Sequence, residues 1–195
     1  MIYSFDDLAL KFKDYANVKN KIQREVKAGR LISVTRGLYE TDANIAGEFL
    51  AGRIYGPSYL SFDYALAFYS LIPEAVYKTY TSATFQKQKS KLYKNYFGVF
   101  TYRDIPKEVY PLGITAHEEN GYSYQIAIPE KAICDKLYDL PPVKNLRELE
   151  DMLFDDLRID EQEFAKLNRE DMHNLAEKYH STNLKLLSKL IRRKY

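Results

Sequence analysis

The first part of the chain carries an apolar stripe at helical spacing, followed by a short alternating segment. Val18, Ile22 and Val26 recur every four residues, which places them on one narrow face of an α-helix over residues 18–28. Gly29 then occupies the position expected for a helix C-cap. Alternation and β-branched residues predict a strand over 31–34, and a turn over 35–37 leads into a second short strand.

A shorter helix is predicted upstream. Ser4 and Asp7 resemble a capping box in which Asp replaces the usual Glu or Gln. The apolar residues Phe5, Leu8, Phe12 and Tyr15 then share one face. A turn over residues 14–17, with Asn17 as N-cap, connects the two helices. The pattern is typical of a helix-turn-helix unit with a β-hairpin wing.

The polar face of the second helix predicts DNA binding. Asn20, Gln23, Arg24 and Lys27 lie opposite the apolar stripe, with Lys19 and Lys21 on its flanks. From Lys19 to Arg36, a stretch that includes Arg30, all the charged residues are basic except Glu25. The whole chain has a net charge of only +2. We expect the first four side chains to face the major groove, and Lys19, Lys21, Arg30 and Arg36 to hold phosphates. Solvated faces of a small helical hairpin are the alternative.

The remainder of the chain predicts an α+β fold. Glycines and a proline over residues 43–57 mark a boundary between an N-terminal winged helix-turn-helix, residues 1–55, and a larger α/β domain, residues 56–195. A helix over 61–70 precedes strand-like segments at 75–84, 97–102 and 114–128, the last containing the hairpin turn Asn120-Gly121. We therefore expect a small, mostly antiparallel sheet within 57–140. A helix begins at Pro129, and a helical tail over 141–195 contains segments at 146–157, 161–178 (with a break near Asn168) and 182–194.

A second basic surface is predicted between Glu74 and Asp104, where the chain has no acidic residue. Its members are Lys78, Lys87, Lys89, Lys91, Lys94 and Arg103. Aromatic residues interleave with them, and this combination can grip a phosphate backbone and stack on bases. The same pattern also fits buried aromatics beside lysines that keep a sheet edge soluble.

Composition and motifs narrow the classes of function. With 195 residues, 46% of them hydrophobic, the chain can form a real core. No apolar run could cross a bilayer and no export signal begins the sequence, so we expect a cytoplasmic protein without a membrane partner. The single Cys134 is expected to be a small buried hydrophobe.

Enzyme signatures are missing from the sequence, and we expect no catalytic residue, metal site or cofactor. Glu130 and Lys131 follow a strand, as in some metal-dependent nuclease sites. Such sites need the carboxylate and the lysine at alternate strand positions, whereas these two are adjacent. A nuclease is therefore the most distant of the alternatives.

Several separated blocks of the chain resemble the AbiEi family of antitoxins. The blocks are Gly-Arg-Leu-Ile at 29–32, Thr-Arg-Gly-Leu-Tyr at 35–39, Pro-Ser-Tyr-Leu-Ser at 57–61, Ala-Leu at 65–66, Leu-Ile-Pro-Glu at 71–74, Thr-Ser-Ala at 81–83 and Ile-Ala-Ile-Pro-Glu-Lys-Ala-Ile-Cys-Asp at 126–135. Their order and spacing cover most of residues 15–140. We treat the blocks at 57–61 and 129–132 as markers of the fold.

The resemblance implies an antitoxin of a type IV toxin–antitoxin pair. In such proteins an N-terminal winged helix represses the protein's own operon, and a C-terminal domain counteracts a nucleotidyltransferase-like toxin without requiring a stable complex. The family's recognition helix falls on residues 19–28 and its wing on 31–39. Family members usually carry a further helix before the first one found here, so the N-terminal unit is expected to be minimal.

We therefore expect double-stranded DNA, at the protein's own promoter, as a partner, with two copies on an inverted repeat. The principal alternative is a protein-interaction module that neutralises a partner toxin and does not bind DNA.

Overall fold

The structure, a computed structural model, describes residues 1–194 and has an α+β fold. The helices are α1 (Phe5–Lys11), α2 (Val18–Lys27), α3 (Glu48–Ile54), α4 (Phe62–Phe68), α5 (Pro129–Asp139), α6 (Leu146–Glu150), α7 (Glu161–Ala165), α8 (Arg169–Lys178) and α9 (Thr182–Lys194), with a π-helix at Asp151–Asp156. The strands are β1 (Ile2–Ser4), β2 (Ile32–Thr35), β3 (Leu38–Glu40), β4 (Tyr59–Leu60), β5 (Thr79–Thr84), β6 (Lys91–Asn95), β7 (Gly98–Asp104), β8 (Ile114–Glu119) and β9 (Tyr122–Ala127).

The N-terminal part combines α1 and α2 with a three-stranded antiparallel sheet in the order β1-β3-β2. The capping box at the start of α1 is confirmed, because Ser4 accepts from the Asp7 backbone and its own N–H donates to the Asp7 carboxylate at 2.8 Å. Leu8, Ile22 and Leu31 form a small buried core between the helices and the hairpin. The sequence did not predict strand β1, which pairs with the edge of β3 opposite to β2.

The larger part contains a six-stranded sheet in the order β6-β7-β5-β4-β9-β8. It is mixed: β5 and β7 are parallel, as are β4 and β9, and the other pairings are antiparallel. The sheet is thus larger and less uniformly antiparallel than the sequence predicts. The reason is long-range pairing, since Leu60 lies beside Ile126, and such partners leave no local signal.

Helices complete the larger core. α3 packs against β9, β4 and β5. α4 and α5 pack against each other, and α5 also packs against α8 and α9. The predicted break near Asn168 is real, because the Asn168 side chain caps α8. Cys134 is fully buried, as predicted.

The two parts are packed together. Val34 and Leu38 of the β2–β3 hairpin belong to the same buried core as Leu50 and Ile54 of α3. Hydrogen bonds also cross between the parts: Asn95 Nδ2 donates to Val34 O at 2.9 Å, and Tyr122 Oη donates to Glu40 Oε1 at 3.2 Å. The hairpin is therefore held on its inner side by the larger sheet.

Candidate nucleic-acid interface

Helix α2 is fixed at its start and along its inner face. The Asn17 side chain accepts from the Asn20 backbone N–H at 3.0 Å, as predicted for an N-cap. Ile22 is 2% exposed, and Val18 and Val26 pack against the same small core. Because the inner stripe is anchored, the outer face has a defined orientation.

The outer face presents the predicted polar side chains to solvent. Exposed residues here are Lys19, Asn20, Gln23, Arg24 and Lys27. The amides of Asn20 and Gln23 can both donate and accept hydrogen bonds, whereas the cationic groups of the lysines and Arg24 only donate them. This is a mixture suited to base edges and phosphate oxygens.

Two of the residues predicted to contact phosphates, Lys21 and Arg30, are paired with an acidic residue. Glu25 is only 7% exposed. Its carboxylate accepts from Arg30 Nε at 2.5 Å and Nη2 at 3.1 Å, and Lys21 Nζ lies 2.7 Å from Oε1. Hydrogen bonds from Arg30 and then from Lys21 lower the pKa of Glu25 to about 2.

This Glu25 cluster (Lys21, Glu25 and Arg30) was missed by sequence reasoning. A signal was available, since Glu25 lies four residues after Lys21, a spacing that brings side chains together on a helix. The Lys21 ammonium also lies over the Tyr15 ring, 4.6 Å from its centroid. Lys21 is half-buried and Arg30 exposed, so the cluster is fixed to the flank of α2 rather than free in solvent.

The β2–β3 hairpin carries Arg36 at its exposed tip. Gly37 has a φ of +79°, in the left-handed region that glycine adopts readily, and its carbonyl accepts from the Phe5 N–H at 2.8 Å. The tip is thereby tied to the start of α1. α1 therefore contacts both α2 and the hairpin that carries Arg36.

Three members of the second predicted basic surface have partners within the chain. Lys87 donates to the Gly56 carbonyl at 3.1 Å and lies over the Tyr55 ring, and Arg103 pairs with Asp139. Lys78 lies over the neighbouring Tyr77 ring. These residues therefore have local partners.

The remaining members of that set, Lys89, Lys91 and Lys94, are exposed. Lys91 and Lys94 lie in the edge strand β6, where Lys91 pairs with Tyr102 and Lys94 pairs with Val99. Because side chains alternate along a strand, these two lysines point to opposite faces of the sheet.

A buried polar network joins two of the sequence blocks. Asp135 accepts from the Tyr59 hydroxyl at 2.9 Å, the Ser61 hydroxyl at 2.7 Å and the Tyr179 hydroxyl at 2.5 Å. Lys131 Nζ lies 3.3 Å from Asp135 and donates to the Val109 carbonyl at 2.8 Å. Each of the four groups around Asp135 (Lys131, Tyr59, Ser61 and Tyr179) is at most 2% exposed.

Burial also controls protonation in this network. It raises the pKa of Tyr59 and of Tyr179 well above the usual range, and it lowers the pKa of Lys131. None of these groups reaches solvent, so the network ties β4, α5 and α8 together and offers no surface to a substrate. Sequence reasoning could have noticed Lys131 and Asp135 interrupting an otherwise apolar helix face.

Glu130 and Lys131 do not converge on a common site. Glu130 accepts from the Asn168 N–H at 2.7 Å, whereas Lys131 points to the Val109 carbonyl. Within residues 1–194, no group of three or more His, Cys, Asp or Glu side chains is arranged to hold a metal ion.

No protein-family model matches the chain, and no curated protein matches it. In the part of the chain that the structure describes, no helix combines the length and the apolar character required to cross a membrane.

Proposed function

We propose that this chain is a DNA-binding repressor built on a winged helix-turn-helix. The observation that carries the proposal is the exposed polar face of α2, in a unit whose hairpin carries the exposed Arg36 at its tip. In this unit α1 positions α2, α2 enters the major groove, and the hairpin lies along the neighbouring backbone.

The residues divide by the atoms they can reach. Asn20, Gln23, Arg24 and Lys27 are proposed to contact base edges, because amides pair with adenine and arginine or lysine pairs with guanine. Lys19, Lys21, Arg30 and Arg36 are proposed to hold phosphates. Two copies on an inverted repeat in the protein's own promoter would supply the specificity that one short helix lacks.

We further propose that the chain is an antitoxin of the AbiEi type, acting in the cytoplasm against a nucleotidyltransferase-like toxin. The support is the resemblance of its sequence blocks. Two of them, at 57–61 and 126–135, meet through Tyr59, Ser61 and Asp135. Repression would belong to the N-terminal unit and toxin neutralisation to the larger domain.

A matched pair of charge reversals tests DNA binding. Arg24→Glu with Lys27→Glu is expected to abolish preference for the protein's upstream DNA in fluorescence anisotropy. Lys185→Glu with Lys189→Glu reverses two exposed charges on α9 and is expected to leave the preference intact. If both double variants kept the wild-type preference for the upstream DNA, the assignment of α2 as the DNA-contacting helix would be wrong.

The Glu25 cluster favours a second candidate function, a protein-interaction module that neutralises a toxin without binding DNA. The supporting observation is that Glu25 pairs with both Lys21 and Arg30 and so offsets part of their positive charge. Rescue of growth in cells expressing the toxin separates the two functions. If Arg24→Glu with Lys27→Glu loses operator binding but rescues growth, the repressor and antitoxin roles lie in separate parts of the chain. If the wild-type protein rescues growth but binds no DNA, the interaction module stands alone.

A further inference from the structure

A small cleft lies between α3 and the β8–β9 hairpin, at the point where β4 begins. It has a volume of about 340 Å³, a size that suits a small molecule rather than a macromolecule. α3 contributes Phe49 and Arg53 to its lining, and the segment before β4 contributes Pro57 and Ser58. Residues of both hairpin strands complete the lining. This space is called the α3 cleft below.

Two side chains of opposite charge line the α3 cleft without pairing with each other. Arg53 on α3 and Glu118 on β8 are both exposed. Within residues 1–194, neither side chain forms a hydrogen bond or an ion pair. The pKa of Asp7 is lowered chiefly by hydrogen bonds from Ser4 and only secondarily by Arg53. The cleft therefore offers a ligand one free guanidinium and one free carboxylate.

A buried hydroxyl in the same lining also lacks a partner. Ser58 is 8% exposed, and its Oγ has no hydrogen-bond partner among the residues that the structure describes. A buried polar group without a hydrogen bond costs free energy, so such groups are uncommon in folded proteins and each needs an explanation. Because Ser58 lines the cleft, an oxygen atom of a ligand can supply the missing acceptor.

Aromatic side chains form the apolar part of the lining. Phe49 is buried, and its ring packs edge-to-face on Tyr124 with centroids 5.3 Å apart. Tyr124 in turn stacks on the His117 ring, also at 5.3 Å. These contacts fix the two lining rings in place, so the cleft has a preformed surface for an apolar group.

The two charges, the hydroxyl and the aromatic rings together select the class of ligand. A simple anion would pair with Arg53 but would be repelled by Glu118, and a simple cation would have the opposite difficulty. A purely apolar molecule would leave the Ser58 hydroxyl without a partner. A free α-amino acid carries a carboxylate, an ammonium group and a side chain on one carbon atom, so it can satisfy all of these groups at once.

We propose that the α3 cleft is a binding site for a free α-amino acid with an apolar side chain. The carboxylate of the ligand accepts from the Arg53 guanidinium and the Ser58 hydroxyl, and its ammonium group donates to the Glu118 carboxylate. The side chain of the ligand lies against Phe49 and Tyr124. The site is separate from the exposed face of α2, and its occupancy does not depend on DNA binding.

NMR titrations of the full-length protein with L-phenylalanine and with L-leucine test this proposal. Phenylpropanoate, which lacks the ammonium group, and phenylethylamine, which lacks the carboxylate, are the comparison ligands. We expect both amino acids to bind with a Kd of about 1 mM or lower, and to shift the backbone amide signals of Gly52, Ser58 and Gln125. Each comparison ligand is expected to bind at least about tenfold more weakly than L-phenylalanine.

Variants that remove one charge assign each contact. Arg53→Gln and Glu118→Gln are each expected to weaken binding of L-phenylalanine at least about tenfold. Arg53→Gln should also lose the discrimination against phenylethylamine, and Glu118→Gln the discrimination against phenylpropanoate, which a general loss of stability would not produce. Arg147→Gln and Glu161→Gln change exposed charges on α6 and α7, and these controls are expected to bind within about twofold of the wild type.

Ser58→Ala tests the buried hydroxyl separately. Because this hydroxyl has no partner in the free protein, its removal is not expected to lower the Tm, whereas L-phenylalanine should bind at least about threefold more weakly. The proposal would be overturned by the absence of amide shifts at the cleft with about 5 mM of either amino acid. Equal binding of L-phenylalanine and both comparison ligands, or wild-type binding by Arg53→Gln and Glu118→Gln, would also overturn it. DNA binding is measured without amino acids, so a failure here is distinguishable from failure of the repressor assignment.

Discussion

Glu25 determines how much positive charge the α2 surface presents. It is the one acidic residue between Lys19 and Arg36, and it lies nearly buried between Lys21 and Arg30. Its lowered pKa means that it stays ionised throughout the physiological range. Lys21 and Arg30 thus contribute less to a phosphate backbone than their number suggests, while their positions are fixed.

Glu25→Gln is predicted to strengthen non-specific DNA binding. Removing the carboxylate frees Lys21 and Arg30 to neutralise phosphates, so affinity for a scrambled duplex rises and the log-log salt slope steepens by about one to two. Anisotropy titrations over a salt series measure both. Glu118→Gln, at an exposed acid on β8, serves as the control, and an unchanged slope in Glu25→Gln would mean that the cluster does not face DNA.

Tyr110 provides a prediction for alkaline pH. Burial raises its pKa to about 12, whereas the phenol of an unfolded chain ionises near 10. Above pH about 10 the unfolded state therefore loses protons that the folded state retains, and the free energy of unfolding falls until pH about 12.

Tyr110→Phe removes that contribution, so its stability should decline less between pH about 9 and 12 than that of the wild type. Chemical denaturation at several pH values measures the difference. Tyr96→Phe, at a side chain 62% exposed, should follow the wild-type profile, and parallel profiles for Tyr110→Phe and the wild type would contradict the assignment.

At the scale of elements, the start of α2 depends on a single side chain. The Asn17 side chain caps this helix by accepting from the Asn20 N–H at 3.0 Å. Asn17→Ala is expected to lower the free energy of unfolding by about 1 kcal/mol. Asn174→Ala, at an exposed position within α8, should change it by less than about 0.5 kcal/mol, as measured by urea denaturation. Equal effects of the two substitutions would contradict the capping role.

The sequence predicted those helices and hairpins whose signals lie within a few neighbouring residues. α1, α2, the β2–β3 hairpin and the β8–β9 hairpin follow from caps, stripes and glycine turns within a few residues, and Asn120 and Gly121 have the positive φ values that such a turn requires. α3 was missed because its segment contains Gly47 and Gly52, which suggested a boundary. β6 was missed because Lys91, Leu92 and Lys94 are exposed and leave no buried alternation.

Long-range contacts could not be predicted from the sequence. The sheet order depends on pairings such as Leu60 with Ile126. The network around Asp135 joins it to Tyr59, 76 residues away. For the candidate interface, exposure of the α2 face was predictable from periodicity. The pairing of Glu25 with Arg30 was not, because Arg30 lies in the loop after α2 and its position depends on the course of that loop.

At the scale of the whole molecule, the Asp135 network holds the larger domain together. Asp135→Ala leaves Lys131 as a buried charge without its partner, and we predict a loss of about 3–5 kcal/mol in the free energy of unfolding. Lys131→Met combined with Asp135→Leu should cost less than the sum of the single changes, because neither buried charge remains. Both are measured by chemical denaturation.

The exposed pair of Arg103 and Asp139 supplies the control, since Asp139→Ala should cost at most about 1 kcal/mol. A loss below about 1 kcal/mol in Asp135→Ala would mean that the buried network is not a major source of stability.

The measurement that tests the central proposal most directly is binding of the wild-type protein to its own upstream DNA and to a scrambled duplex across a salt series. With about four phosphates neutralised per protomer and one or two protomers bound, we predict tighter binding to the native duplex and a log-log slope of about −3 to −8. Equally weak binding to both duplexes, or none, would contradict the repressor assignment.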